Sequence, residues 1–359
     1  LKTANDYAYS TAYIRALRSF LLRLDDYEAL LKAKDEEDVI RCLGGTAYSK
    51  YFSGYSGKGL SLGEIDRAIF RSYYQNLEEM LRFRLTDEAR NILELAYARH
   101  ESSTLKTIIR LMYEGVHPEE IMHLVTFIGR YTEEHVSRLL KSKSLQQIFE
   151  LEEPTLRRTA LEKVSECDGL HSTLPLEVAI DKHYLSSLWN STSRLRDWDK
   201  NYVRDIIGTD IDISNIDLTL RCKHLGIPFS SLRELLIPIK HRLGNELDVA
   251  VETATVSEAI RAFKVGYYGV VLSGFDSGFD RERSLLPLEI GLKKYFAERC
   301  GRVFLGYPFG VAPLLAYLNL KYLECLNIRE IILGKRDGVP NSVLSNIIIL
   351  PKEAVPQHV

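Results

Sequence analysis

The chain has 359 residues, 45% of them hydrophobic, with 47 basic side chains against 49 acidic ones. That length holds about two or three domains of ordinary size, and the balanced charge supplies no overall field to draw the chain onto phosphate backbones, so nucleic acid is not an expected partner. Cys42, Cys167, Cys222, Cys300 and Cys325 are odd in number and form no CxxC pair, which argues against a disulfide framework or a structural zinc site and fits a reducing, cytosolic setting.

The opening residues, LKTANDYAYSTAYIRALRSF, carry charges inside an apolar pattern and lack a small-residue cleavage site, so they do not read as a secretory signal. The missing initiator Met suggests that a few residues once preceded them. From Tyr7 onward, Tyr13, Leu17, Phe20, Leu21 and Leu24 predict one face of a long amphipathic helix. Asp25-Asp26 and the acidic run Asp35 to Asp38 predict the starts of two short helices, where carboxylates meet the positive end of the helix dipole. Gly44 to Gly59 is a Gly/Ser/Tyr stretch. It fails as a phosphate cradle, because Lys58 is followed by Gly59 and Phe52 stands where an earlier glycine is needed, so a mobile connection is expected. Ser61 and Glu64 form a capping box that starts a helix through Tyr73 and Leu81. A break at Thr86-Asp87 opens another, which ends at Gly115.

Pro118-Glu119-Glu120 suits a helix start. Short helices follow through Thr132, Pro154 and Pro175, joined by polar linkers at Lys141 to Ser144 and Glu166 to Thr173. After Pro228 the plan recurs, with a capping box at Thr255 and Glu258 and a Gly/aromatic bend from Gly266 to Gly278. Val303 to Leu320 is long enough to test as a membrane span because it contains no charge. Gly306, Pro308, Gly310 and Pro313 break its first half, however, and a buried loop entering a core helix is expected instead. Ile347 to Leu350 is the best candidate for a strand.

One layout occurs three times. Glu324, Asn327, Lys335, Gly338, Val339 and Pro340 match Asp212, Asn215, Lys223, Gly226, Ile227 and Pro228, and more loosely Glu101, Thr104, Gly115 and Pro118, with Met112 in place of the lysine. A second landmark, LPLEVAIDKHY from Leu174, returns as LPLEIGLKKYF from Leu286 and in worn form around Asp66. The acids of this second landmark (Asp66, Glu177, Glu289) precede Thr104, Asn215 and Asn327 by one constant interval. Two landmarks holding one spacing predict a triplicated all-α chain with modules at 1–115, 116–226 and 227–359, the last carrying a C-terminal tail.

Catalytic and metal patterns do not emerge. The nine histidines form no HExxH, and no GxSxG elbow or GxGxxG after a strand is present; no metal or cofactor is expected. His100, His117 and His123 read as surface or capping residues. The pairs Glu101/Thr104, Asp212/Asn215 and Glu324/Asn327 recur once per module, which fits a repeated contact with a neighbouring helix better than one asymmetric catalytic centre. Gly115, Gly226 and Gly338 read as helix stops at positive φ. The residues just beyond them, His117, Pro118, Ile227, Phe229, Val339 and Pro340, are expected at one end of the molecule as a partner-contact surface.

With AYLNLKYLECLNIREIILGKRDGVP, YAYSTAYIRALRSFLL and DISNIDLTLRCKHLGIP in place, the whole chain resembles the C-type subunit of archaeal and bacterial A/V-type ATP synthases, counterpart of the d-type subunit of eukaryotic V-ATPases. It departs from the family pattern at Thr104 and Met112. The resemblance implies an all-helical funnel of three lobes about a pseudo-threefold axis, without catalysis of its own. It further implies a place on the cytoplasmic face of the membrane proteolipid ring, peripheral and not spanning, where the funnel receives the central rotor shaft and passes torque for proton or sodium transport. From the residues alone, an unrelated helical-repeat scaffold and a soluble enzyme with a site between modules stay open.

Overall fold

The computed structural model describes residues 2–53, 60–273, 275, 279 and 284–350, and every regular element among them is helical. Helices α1 (Lys2–Ser19), α2 (Leu24–Lys32), α3 (Glu36–Leu43) and α4 (Ser49–Phe52) lead to α5 (Leu62–Leu81) and the long α6 (Asp87–Tyr113). Five short helices follow: α7 (Pro118–Leu124), α8 (Glu133–Leu139), α9 (Leu145–Glu150), α10 (Pro154–Leu161) and α11 (Val164–Leu170). They lead to α12 (Leu174–Ser191) and the long α13 (Asp197–His224). The last stretch holds α14 (Phe229–Leu235), α15 (Asn245–Glu252), α16 (Val256–Val265), α17 (Gly269–Leu272), α18 (Leu286–Val303), the long α19 (Ala312–Arg336) and α20 (Asn341–Ile347).

The helix starts follow from local chemistry. Ser61 and Thr255 each accept the N3 backbone N–H while Glu64 and Glu258 reach back to the cap N–H, so both capping boxes form. Asp35 accepts from the Asp38 N–H, Asp26 bonds the Arg23 N–H, and Thr86 opens α6 by accepting from Ala89. Proline occupies the first turn of α7, α10, α12, α18 and α19, where its missing N–H is not needed.

Three apolar clusters form the core. The N-terminal halves of α6 and α13 (Leu93, Ile206) share the largest with α5 and α19, while their C-terminal halves (Ile109, Ile216) enter separate clusters with α7–α12 and α14–α18. Residues 312–321 of α19 are buried without exception, which explains the charge-free run before Lys321: a helix apolar all round belongs in a core when it is packed on every side. No described helix is long and apolar enough to cross a membrane.

Several expectations need correction. Among the described residues of α1, the buried set is Tyr7, Ser10, Thr11 and Ile14, whereas Phe20 and Leu24 are largely exposed. The helix stops at Ser19, and two small hydroxyl residues sit on its inner face, with Thr11 donating to the Pro308 carbonyl at 2.8 Å; an apolar count overlooks them. Ile347 to Leu350 is not a strand. Ile347 ends α20, and the following extended residues pair with a side chain rather than with a second strand. The linker from Glu166 to Thr173 is mostly α11. Of the stretch from Gly44 to Gly59, residues 44–48 form turns and Ser49–Phe52 a helix; 54–59 lie outside the described residues. The bend from Gly266 to Gly278 contains α17, and its residues 274 and 276–278 are likewise outside them. His100 is buried, stacked on Tyr322 with 3.9 Å between ring centroids and bonded through Nδ1 to the Tyr73 hydroxyl at 2.5 Å. Burial and the neighbouring Arg99 charge hold its pKa well below the usual histidine range.

The three long helices end alike. Gly115, Gly226 and Gly338 have φ of 75°, 71° and 69°, and the next N–H bonds back to the carbonyl of Leu111, Cys222 or Gly334, the Schellman arrangement that only a left-handed residue allows. A Cβ on any of the three glycines would meet nothing within 4 Å, so the requirement lies in the backbone alone. Gly226→Ala should therefore lower stability by about 1–2 kcal/mol, and Gly226→Asn by less, because Asn tolerates this region better. Urea denaturation of the two variants beside the parent chain checks the order.

Candidate functional site

The long helices α6, α13 and α19 all line one cavity of about 430 Å³, together with α12 and α18. Arg99 on α6 and Asp210 on α13 form an ion pair at 2.9 Å across it, and Tyr322 on α19 lies on His100, the neighbour of Arg99. Lower on the wall Lys106 pairs with Asp181 at 2.8 Å, Arg110 with Glu177 at 2.5 Å, and Arg221 with Glu289 at 3.0 Å. Asp217 joins that last pair, and burial together with Glu289 pushes its carboxyl up to about 6. Acids and bases thus neutralise one another along the lining. Among the described residues no cluster of His, Cys, Asp and Glu is arranged to hold a metal ion.

The acid/amide pairs are buried on the same three helices, and most of their partners are backbone atoms, while Asn327 also donates to the Tyr27 hydroxyl of the neighbouring α2 at 3.2 Å. On α13 the Asn215 side chain donates to the Ile237 carbonyl at 3.1 Å and accepts the Ile237 N–H at 2.9 Å. On α19 Asn327 does the same to Ile349, at 2.8 Å in both directions. An amide side chain carries the donor and acceptor of a peptide group, so one residue supplies what a strand would. Thr104 on α6 has only a hydroxyl, and it donates to the Thr126 carbonyl at 2.5 Å. Each partner lies 22 residues downstream of its clasp.

The acids take the N–H groups. Asp212 accepts from His241, Arg242 and Leu243 at 2.9, 2.6 and 3.2 Å and from the Tyr268 hydroxyl at 3.0 Å. Glu101 accepts from Arg130 at 2.6 Å. Glu324 accepts from Leu22 at 2.5 Å, from the Tyr48 hydroxyl at 2.9 Å and from the Lys321 ammonium at 2.7 Å. The lysines complete the pattern: Lys223 donates to the Val251 and Thr253 carbonyls, and Lys335 to those of Leu31 and Ala33. Met112, standing where the lysine would be on α6, has no ammonium with which to make that contact. Gly129, at φ 54°, brings its backbone so close to Glu101 that a Cβ there would run into the carboxylate.

Beyond the helix stops, His117, Pro118, Pro340 and Phe229 are exposed, and Ile227 and Val339 are half-buried. Phe229 is 46% exposed, with the Arg233 guanidinium over its ring at 5.1 Å. Sequence reasoning missed Leu225 and Val343, which are 62% and 47% exposed on the flanks of two of these loops. Their spacing fits a buried helix face as well as an open one, and nothing local marks the difference.

The chain matches the family model for the ATP synthase (C/AC39) subunit over residues 10–347. It is similar to the C-type subunit of the A-type ATP synthase of Methanocaldococcus jannaschii, 23% identical over 96% of this chain and 86% of the relative. The corresponding subunits of Methanosarcina barkeri and Methanosarcina mazei are each 25% identical, over 96% and 97% of this chain and 93% and 94% of their own lengths.

Burial pushes the Glu101 carboxyl up to about 7, against the opposing pull of the Arg130 N–H and guanidinium. A carboxyl raised in the folded state favours folding while it is protonated. Its contribution is therefore present below the unfolded pKa of about 4.3 and is lost as pH rises through about 7. The stability of the parent chain relative to Glu101→Gln should fall by up to roughly 3 kcal/mol across that window and stay level above it. Urea titrations at a series of pH values read the slope directly.

Proposed function

The chain belongs to the ATP synthase (C/AC39) subunit family and is a non-catalytic subunit of a rotary ATPase, and from that premise we infer that it is the socket linking the rotor shaft to the membrane proteolipid ring. Membership removes the unrelated scaffold and the soluble enzyme as readings. In the proposed arrangement the modules 1–115, 116–226 and 227–359 are the three lobes of a funnel about a pseudo-threefold axis, peripheral on the cytoplasmic face of the membrane. Proton or sodium translocation is served by torque passing through it.

The observation that carries this reading is the shared cavity. Its lining takes Arg99 from α6, Asp210 from α13 and Tyr322 from α19, positions separated by 210 − 99 = 111 and 322 − 210 = 112 residues, the period of the sequence repeat. Helices that offer equivalent positions to one space surround it at a common level, and they end at a common level too. The loops after Gly115, Gly226 and Gly338 then become three neighbouring points at one end of the funnel. Their side chains differ, as a shaft without threefold symmetry requires, and clustered exposed apolar groups such as Phe229 and Leu225 mark an interface.

Phe229→Asp and Val339→Asp together should weaken assembly with the shaft subunits or with the ring about tenfold or more while leaving the helical circular dichroism unchanged. Measuring the two associations separately assigns the end to its partner. If both affinities match those of the parent chain, the loops are helix stops and nothing further.

A further inference from the structure

The third clasp differs from the other two in where its partners come from. Asp212 draws on His241, Arg242 and Tyr268, all downstream of α13, but Glu324 draws on Leu22 and Tyr48, from the other end of the chain. Lys223 holds the carbonyls of Val251 and Thr253, whereas Lys335 holds those of Leu31 and Ala33. Arg242 and Leu22, Val251 and Leu31, Thr253 and Ala33, and Tyr268 and Tyr48 are each 220 residues apart, as 242 − 22 shows.

The elements keep the same correspondence. Helices α2, α3 and α4 stand in the places of α15, α16 and α17, and the cap residues Asp35 and Thr255 each accept from the N–H three residues on. Asn327 still finds its downstream residue, Ile349, just as Asn215 finds Ile237. The switch from the C-terminal to the N-terminal stretch therefore falls between Ile349 and Leu22, at the level where the second unit runs unbroken from Ile237 to Arg242.

A separate set of ion pairs closes the same circle. Arg110 of α6 reaches forward to Glu177 of α12, and Arg221 of α13 reaches forward to Glu289 of α18. On α19 the direction reverses: Arg329 pairs at 2.8 Å with Asp66 of α5, the residue that matches Glu177 and Glu289 in the repeat. α19 packs along α5 as α6 packs along α12 and α13 along α18.

We propose that the three units form a closed ring in which the N-terminal stretch from Leu22 through α5 completes the unit begun by α19 and α20, so that the first and last units meet at one non-covalent seam. An open stack of repeats needs distinct capping units at its two ends; a ring has neither, and its integrity rests on the seam. The boundaries 1–115, 116–226 and 227–359 cut the same cycle at another point.

Hydrogen exchange of the full-length Lys335→Met and Lys223→Met variants tests this. Lys335→Met should speed exchange across residues 24–43 about tenfold or more, as loss of charged hydrogen bonds to two carbonyls implies, and leave 245–265 as in the parent chain. Lys223→Met should give the mirror image. Unchanged protection at 24–43 in Lys335→Met, or acceleration spread evenly over the chain, overturns the proposal. A second test removes no contact: a circular permutant that joins Val359 to Leu1 through a flexible linker and opens between Ile239 and Lys240 should fold cooperatively with the parent's helical signal. A permutant that stays unfolded overturns it as well.

Discussion

An all-helical chain has no sheet ladder in which to satisfy the backbone of its extended connections, and here the side chains of the long helices take that part. Ile237 and Ile349 are buried at 4% and 7% exposure, where a peptide group without a partner costs a few kcal/mol. Asn215 and Asn327 meet both its needs at once. Because the amide sits on a helix already fixed by the core, the connection it holds is fixed too, and with it the angle at which the next short helix leaves. The acid three residues earlier is on the same helix face and collects further N–H groups, those of residues 241–243 for Asp212 and that of Leu22, from the other end of the chain, for Glu324. Removing either residue strands more than one buried group.

The three clasps are not equal. Asp212 is surrounded by four donors, Glu324 by a lysine, a tyrosine and an N–H, and Glu101 by one N–H and a more distant guanidinium at 3.9 Å. With so few donors around Glu101, burial outweighs them and raises its pKa. Close by, the Tyr97 hydroxyl, Arg130 Nε and His135 Nε2 have no hydrogen-bond partner among the described residues. The region around α6 is therefore the least satisfied of the three, in keeping with the loss of the amide and the lysine to Thr104 and Met112. At Asp205 the opposite holds: His241, Arg299 and Arg242 all donate to it, and its carboxyl is held far below the ordinary range despite partial burial.

Much of this was legible in the residues. Glycine and proline punctuate helix ends for reasons of φ and missing N–H, so Gly115, Gly226, Gly338 and Pro118 could be placed without coordinates, as could the boxes at Ser61 and Thr255. The repeated spacing is itself a property of the residues, two landmarks that keep one interval. What the clasps hold was not legible, since most of their partners are backbone atoms, and any residue type offers those at Ile237, Ile349 or Leu22. The inner face of α1 stayed hidden because Ser10 and Thr11 are small and polar, and His100 because its burial depends on Tyr322, far away in the chain. The run at Ile347 to Leu350 shows the same limit. Past the end of α20, Ile348 and Ile349 are buried, but what Ile349 pairs with is an asparagine.

The clasp itself is tested most directly by Asn215→Leu, a change close in volume that leaves a fully buried site apolar. Stability measured by urea denaturation should fall by about 2–4 kcal/mol, because the N–H and C=O of Ile237 lose their partner away from water. A loss below about 0.5 kcal/mol, the range of an ordinary surface substitution, would contradict the account, for it would mean that the connection is held in place without the amide.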